Sequence, residues 1–285
     1  MQYLKSFTLL SFASVAVAQQ CTLQFDGRVA TGTEAEAFDA ENNLFSSQNV
    51  FGAGLSFSKV LQLPNEASSP FDGNDNVPLE VTIRPSIFNK QTGFRRAELI
   101  PSTNTGTDES TTGVKTLHFS LSKDVQRPLN LSHEYQLAFL ESNDFSTNQV
   151  VLKTGTILGG DATVDPDTLQ LFGNVNTKPA PPVLFSTPFA ENTIHNFAVT
   201  MDFNANTTVH VFYSTDNNDL EAQGEHQPNV VTGQGQYHFG ILKKPVGGQG
   251  DITKNGFQPD GIDEGIVYSG IFQEDSANGC ISLAP

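Results

Sequence analysis

Side chains able to share one chemical task are concentrated between residues 93 and 142. In Phe94-Arg95-Arg96-Ala97-Glu98-Leu99-Ile100, counting by twos puts Arg96 and Glu98 on one face of a strand and Ala97 and Leu99 on the other. In residues 116–121, Leu117, Phe119 and Leu121 share a core face and leave His118 and Ser120 opposite. In residues 134–140 the same count turns Tyr135, Leu137 and Phe139 inward and Glu134 and Gln136 the other way. A sheet face carrying Arg, Glu, His, Ser, Glu and Gln is unlike an ordinary solvated face, which is richer in Lys and Thr. It reads as the floor of a cleft.

The pair Glu98 and Glu134 suits glycosidic-bond hydrolysis, which needs one carboxyl group as general acid and another as base or nucleophile. If the three strands form a meander, the two glutamates lie two strands apart, roughly 10 Å. Their side chains can then converge on the spacing of about 6.5–9.5 Å that inverting hydrolysis uses. Glu141 is the competitor: it falls on the core-facing parity, and a bulge would flip it. Arg96 beside Glu98 would hold one carboxylate ionised, while a drier site would raise the pKa of the other. The structural alternative is an Arg–Glu ladder across strands.

The elements that must position these residues read as all-β. Short β-branched and aromatic runs at 80–84, 116–121, 134–140, 149–154, 197–203, 208–213, 237–242 and 265–272 are punctuated by Gly, Pro, Asn and Asp. One short helix is expected over residues 34–40. Long polar connections at 65–76, 101–113, 161–167 and 215–235 fit loops that wall a binding site. The predicted architecture is a jelly-roll or lectin-like sandwich of two antiparallel sheets with a concave substrate groove.

Residues 1–18 carry Lys5, an apolar run and Ala16-Val17-Ala18, the pattern of a secretory signal peptide. Residues 19–285 then form a single domain, secreted and extracellular. Removing Lys5 takes the formal charge from −16 to −17. So acidic a surface argues against nucleic acid and anionic membrane as partners, and a monomer is expected. Cys21 and Cys280, near the two ends of the mature chain, are read as a disulfide. Closing so long a loop would contribute about 4–5 kcal/mol by the chain-entropy argument. Asn130-Leu131-Ser132 and Asn206-Thr207-Thr208 are glycosylation sequons.

Other chemistries find little support. The six histidines are scattered without zinc-ligand spacing, and no metal or cofactor is expected. Asp260-Gly261-Ile262-Asp263-Glu264-Gly265 offers oxygen ligands for calcium but lacks the full EF-hand loop, and an acidic turn is the commoner explanation. There is neither a G-x-S-x-G elbow nor a phosphate-binding loop.

The stretches GFRRAEL (93–99), GVKTLHFSL (113–121), RPLNLSHEYQLAFLES (127–142) and NQVVLKTGTI (148–157) together resemble glycoside hydrolase family 131, a family of secreted fungal β-glucanases. YHFGILKKP (237–245) and DGIDEGIVYSGIFQED (260–275) extend the likeness over nearly the whole mature chain. The resemblance implies a β-jelly roll and inverting hydrolysis of β-1,3-, β-1,6- and β-1,4-linked glucans by two glutamates. The Glu of RRAEL is Glu98. The second lies on the strand containing HEY and is assigned to Glu134 by face parity, with Glu141 in reserve. Arg96, His118, Gln136, Lys153 and His238 are the expected sugar-binding residues, each with a purely structural alternative. The absence of Trp cuts against a glucan site, because sugar faces commonly stack on aromatic rings. Two rivals remain: a polysaccharide lyase on a similar sandwich and a non-catalytic, lectin-like carbohydrate binder.

Overall fold

The computed structural model describes residues 21–47, 52, 54–84, 90–204, 208–231 and 233–284. The expected signal peptide and the sequon at Asn206 lie outside the described residues. In chain order the strands are β1 (Leu23–Asp26), β2 (Val29–Ala30), β3 (Leu61–Gln62), β4 (Asn76–Val77), β5 (Leu79–Ile83) and β6 (Arg95–Leu99). Next come β7 (Val114–Lys123), β8 (Glu134–Ser142), β9 (Asn148–Gly155), β10 (Thr168–Phe172), β11 (Val183–Pro188) and β12 (His195–Asp202). The last are β13 (Thr208–Thr215), β14 (Glu221–Ala222), β15 (Gln227–Pro228), β16 (Gly235–Lys243) and β17 (Glu264–Asp275).

One sheet runs β14-β13-β12-β7-β17-β5-β3, with β1 added beside β17 and β15 beside β13. The other runs β11-β10-β9-β8-β16-β6. All their pairings are antiparallel. Leu117, Phe119, Val199 and Ile266 of the first sheet meet Leu99, Leu137, Leu152 and Phe239 of the second in one buried cluster. This is the jelly-roll sandwich that the short, punctuated strands predict. Cys21 and Cys280 are disulfide-bonded, and they flank the paired strands β1 and β17.

Three local expectations need correction. Residues 93–142 do not form a meander: β6 and β8 share the six-stranded sheet with β16 between them, while β7 lies in the other sheet. The connection between β6 and β7 crosses the sandwich, and a count of alternating faces carries no information about which sheet a strand joins. The expected helix at 34–40 is a 3-10 turn, Ala35–Asp39, with no side-chain cap at Glu34. So short a segment cannot sustain an α-helix without such support. The parity of β8 also fails in its second half, where Phe139 points away from the inter-sheet core. It packs instead with Phe94, Val151 and Leu242 on the outer face of the six-stranded sheet.

Candidate active site

That change of parity has a visible cause. Gln136 pairs with Lys153 of β9, but Ala138 pairs with Leu152, so Leu137 is an extra residue on β8. On the other side, Phe239 and Leu242 of β16 face Ala138 and Gln136, which makes β16 bulge against β8 at Gly240 and Ile241. Leu137 and Ala138 consequently both enter the core, and every later residue of β8 swaps face. Two backbone carbonyls at the bulge, Leu137 and Gly240, lie 2.8 and 2.7 Å from the Tyr268 hydroxyl of the opposite sheet. Gly240 itself has φ +149°, and a Cβ there would lie 2.3 Å from the Ala97 carbonyl oxygen.

The bulge delivers Glu141 to the outer face beside His238. There four side chains form a chain of contacts. Arg96 donates through Nε and Nη2 to the two oxygens of Glu98, at 2.7 and 2.8 Å, and Gln91 accepts from its remaining nitrogen. His238 Nδ1 lies 2.7 Å from Glu98 Oε2, and its Nε2 faces Glu141 Oε2 at 3.6 Å. The imidazole is held flat against the Phe139 ring, with centroids 4.3 Å apart and planes 11° apart.

The two carboxylates are tuned in opposite directions. Burial pushes the Glu98 carboxyl up, but the Arg96 charge and the His238 hydrogen bond outweigh it and bring the pKa down to about 2. Burial raises the Glu141 pKa, the nearby Glu98 charge adds to this, and the counter-pull of His238 and Arg96 does not cancel it. Glu98 is 1% exposed, whereas the Glu141 side chain keeps 26% of its surface open. One group is therefore held as a carboxylate, while the other is more accessible and keeps its proton to higher pH than an ordinary glutamate.

The remaining expected residues divide between two places. Glu134 stands at the start of β8 with Lys153 at 3.0 Å and Lys244 at 2.7 Å, and accepts from the Leu158 amide at 2.8 Å. Burial raises its pKa, but the two lysines and the amide turn the balance downward. Lys153 also lies over the Phe172 ring at 5.1 Å. Gln136 is the cross-strand neighbour of Lys153 and accepts from Asn148 at 3.0 Å. All of these lie on the six-stranded sheet. His118 does not: it is buried in the other sheet, 2.9 Å from Glu274 and stacked on Phe272. The structure thus brings Arg96, Glu98 and His238 together, sets Glu134, Gln136 and Lys153 further along the same sheet, and separates His118 from both.

Sequence reasoning passed over Gln91, Lys244 and Tyr268, and held Glu141 only in reserve. One signal was present for Glu141: the unbroken apolar run Leu137-Ala138-Phe139-Leu140 cannot alternate between faces, so a bulge there was legible. In the acidic turn, Asp263 is engaged by Arg84 at 3.1 Å, and Glu264 by Lys243 and Tyr135. Among the described residues no group of His, Cys, Asp and Glu side chains gathers as a metal site.

A jelly roll with two buried or half-buried carboxylates shifted in opposite directions on one sheet face has the make-up of a carbohydrate-active sandwich. The comparisons give that class its family. Residues 23–279 match the glycoside hydrolase 131 catalytic N-terminal domain, and the chain belongs to this family and is a glycoside hydrolase. Among solved structures it is similar to the GH131 β-glucanase catalytic domain from Podospora anserina, with TM-score 0.70 and 24% identity over 92% of this chain and 98% of that one. It is likewise similar to the GH131 catalytic domain from Coprinopsis cinerea, with TM-score 0.69 and 25% identity over 93% and 98%. No curated protein sequence matches the chain.

Proposed function

We propose that the chain is a secreted β-glucanase that hydrolyses β-1,3-, β-1,6- or β-1,4-linked glucans with inversion, using Glu141 as general acid and Glu98 as general base. The supporting observation is the placement of the two carboxylates on either side of His238, at 2.7 and 3.6 Å. Contacts of that length across one imidazole keep the carboxylate oxygens within about 9 Å, which admits the roughly 6.5–9.5 Å of inverting hydrolysis. Glu141, in its protonated form and partly open, donates its proton to the glycosidic oxygen as the bond to the anomeric carbon breaks. Glu98 takes a proton from the water that attacks that carbon from the opposite face. Arg96 and His238 fix the orientation of Glu98 and stabilise its charge.

Glu141 fits the acid role better than Glu134, the residue favoured by parity. Two lysines pull the Glu134 pKa below the ordinary glutamate value, whereas that of Glu141 is raised, so Glu141 keeps its proton to higher pH. Lys153 and Gln136 then belong to the floor along which the glucan lies. The same reading takes residues 1–18 as a removed signal peptide and 19–285 as one monomeric catalytic domain. It also places N-linked sugar on Asn130, which is exposed.

The experiment is reducing-sugar release from laminarin, pustulan and soluble cello-oligosaccharides by wild type and by Glu98→Gln, Glu141→Gln and Glu134→Gln. Each Gln variant keeps side-chain shape and loses ionisation. We expect Glu98→Gln and Glu141→Gln to lose about 10²–10⁴-fold in kcat/KM, and Glu134→Gln far less. The opposite ranking of Glu134 and Glu141 would return the acid role to Glu134. Products absorbing as unsaturated sugars would instead identify a lyase, and binding without turnover a lectin.

A further inference from the structure

The β8–β9 turn, one residue beyond Glu141, carries features that the catalytic reading leaves unused. Phe145 is 72% exposed, more than any other large apolar side chain among the described residues. It also has φ +59°, a left-handed backbone that a bulky non-glycine residue seldom adopts. The turn around it is nevertheless stiff. Asp144 Oδ1 accepts from Ser142 Oγ at 2.7 Å and from the Ser146 amide and hydroxyl at 3.1 and 2.7 Å. The Ser142 amide donates to the Thr147 carbonyl at 2.8 Å, and Asn176 Nδ2 donates to the Ser146 carbonyl at 3.0 Å. Gly106 approaches so closely that a Cβ there would lie 2.6 Å from Asn143 Oδ1. An aromatic ring is thus held outward on a rigid base, where burial gives it no return.

The residues on either side of Phe145 in the chain, Ser142, Asn143, Asp144, Ser146 and Thr147, line a polar pocket of about 260 Å³ together with Gln234. The Asn143 side-chain amide and Asp144 Oδ2 make no hydrogen bond to the described residues. Asp144 stays ionised in acid, because hydrogen bonds from Ser142 and Ser146 bring its pKa down to about 2. A flat apolar surface beside a free carboxylate oxygen and a free amide matches a pyranose, with its C–H face and its ring of hydroxyls. The pocket adjoins Ser142, and Gln234 lies two residues before Gln236, the cross-strand partner of Glu141. In a chain without Trp, Phe145 is the more exposed of two strongly exposed phenylalanine rings among the described residues, the other being Phe257, and it is the one that adjoins this pocket in the chain.

We infer that the β8–β9 turn is a glycan subsite beyond the catalytic centre, with Phe145 as the stacking platform and Asn143 and Asp144 as hydroxyl partners, selecting long glucan chains over short ones. This rests on the glucanase reading above, and its test separates the two. KM and kcat are measured for wild type, Phe145→Ala, Phe145→Gly, Phe145→Tyr and Asn143→Ala on gluco-oligosaccharides of two to seven units in whichever linkage wild type cleaves.

We expect Phe145→Ala and Phe145→Gly to raise KM about tenfold on the longest substrates. On the shortest substrates KM should not change, nor kcat at any length. Phe145→Tyr should restore the wild-type values. The glycine variant, which accepts the left-handed backbone without strain, should show the same length-dependent loss as alanine. A loss equal at every length, or none, overturns the subsite. If wild type cleaves no glucan, the catalytic reading fails on its own. Calorimetric binding of the heptasaccharide then decides, a tenfold weaker Kd in Phe145→Ala upholding the subsite and an unchanged Kd overturning it.

Discussion

At the scale of single residues, the proposed site must keep two carboxylates in different protonation states on either side of one imidazole. Arg96 meets half of that requirement by gripping both oxygens of Glu98, and partial burial meets the other half by disfavouring the charged form of Glu141. The pH dependence follows with a definite sign. In the proposed mechanism Glu98 must be ionised, so kcat/KM should fall on the acid side only as pH approaches about 2. Glu141 must be protonated, and its raised pKa carries that form to higher pH before activity is lost. A bell-shaped profile is expected, with an acid limb near that value and an alkaline limb above the ordinary glutamate pKa of about 4.3. An alkaline limb at or below the ordinary value would remove Glu141 from the acid role.

At the scale of elements, the bulge in β8 decides which glutamate reaches the site. Without the extra residue Leu137, Glu141 would point into the sandwich. Tyr268 secures that bulge by placing its hydroxyl between the Leu137 and Gly240 carbonyls, where the strand register is broken. Replacing it with Phe should cost about 1–3 kcal/mol, the price of a buried polar group left unpaired. Because the loss falls at the bulge, kcat should drop as well, with little change in KM. Gly240→Ala should be at least as damaging, since the new Cβ would strike the strand that carries Glu98. Chemical denaturation beside steady-state kinetics would check both; an unaltered kcat in a Tyr268→Phe protein that is measurably less stable would show that the hydroxyl supports the fold without positioning the acid. Strand positions and the placement of Arg96 with Glu98 were legible because they depend on local alternation. The bulge was written only as a broken alternation at residues 137–140. The location of His118 was not legible at all, because sheet membership is decided by long-range pairing.

At the scale of the whole molecule, the sandwich is closed by its termini. β1 pairs with β17, the Asp275 amide donates to the Thr22 carbonyl at 2.8 Å, and the disulfide joins Cys21 to Cys280 across a separation of 259 residues. The bond acts on the nine-stranded sheet, while the carboxylates proposed to be catalytic stand on the other, so its contribution should be to stability and not to the chemistry. Constraining so long a loop in the unfolded chain is worth about 4–5 kcal/mol in the entropic account, and a chain of this size loses roughly 2–4 °C per kcal/mol. The double variant Cys21→Ser, Cys280→Ser should therefore melt roughly 10–20 °C lower. Its kcat/KM at 25 °C should stay within about twofold of wild type, because distant and independent sites do not couple. Differential scanning calorimetry and glucan hydrolysis on the same preparation make the check. A variant with an unchanged melting temperature and lost activity would mean that the closure of the termini is transmitted across the core to the opposite sheet.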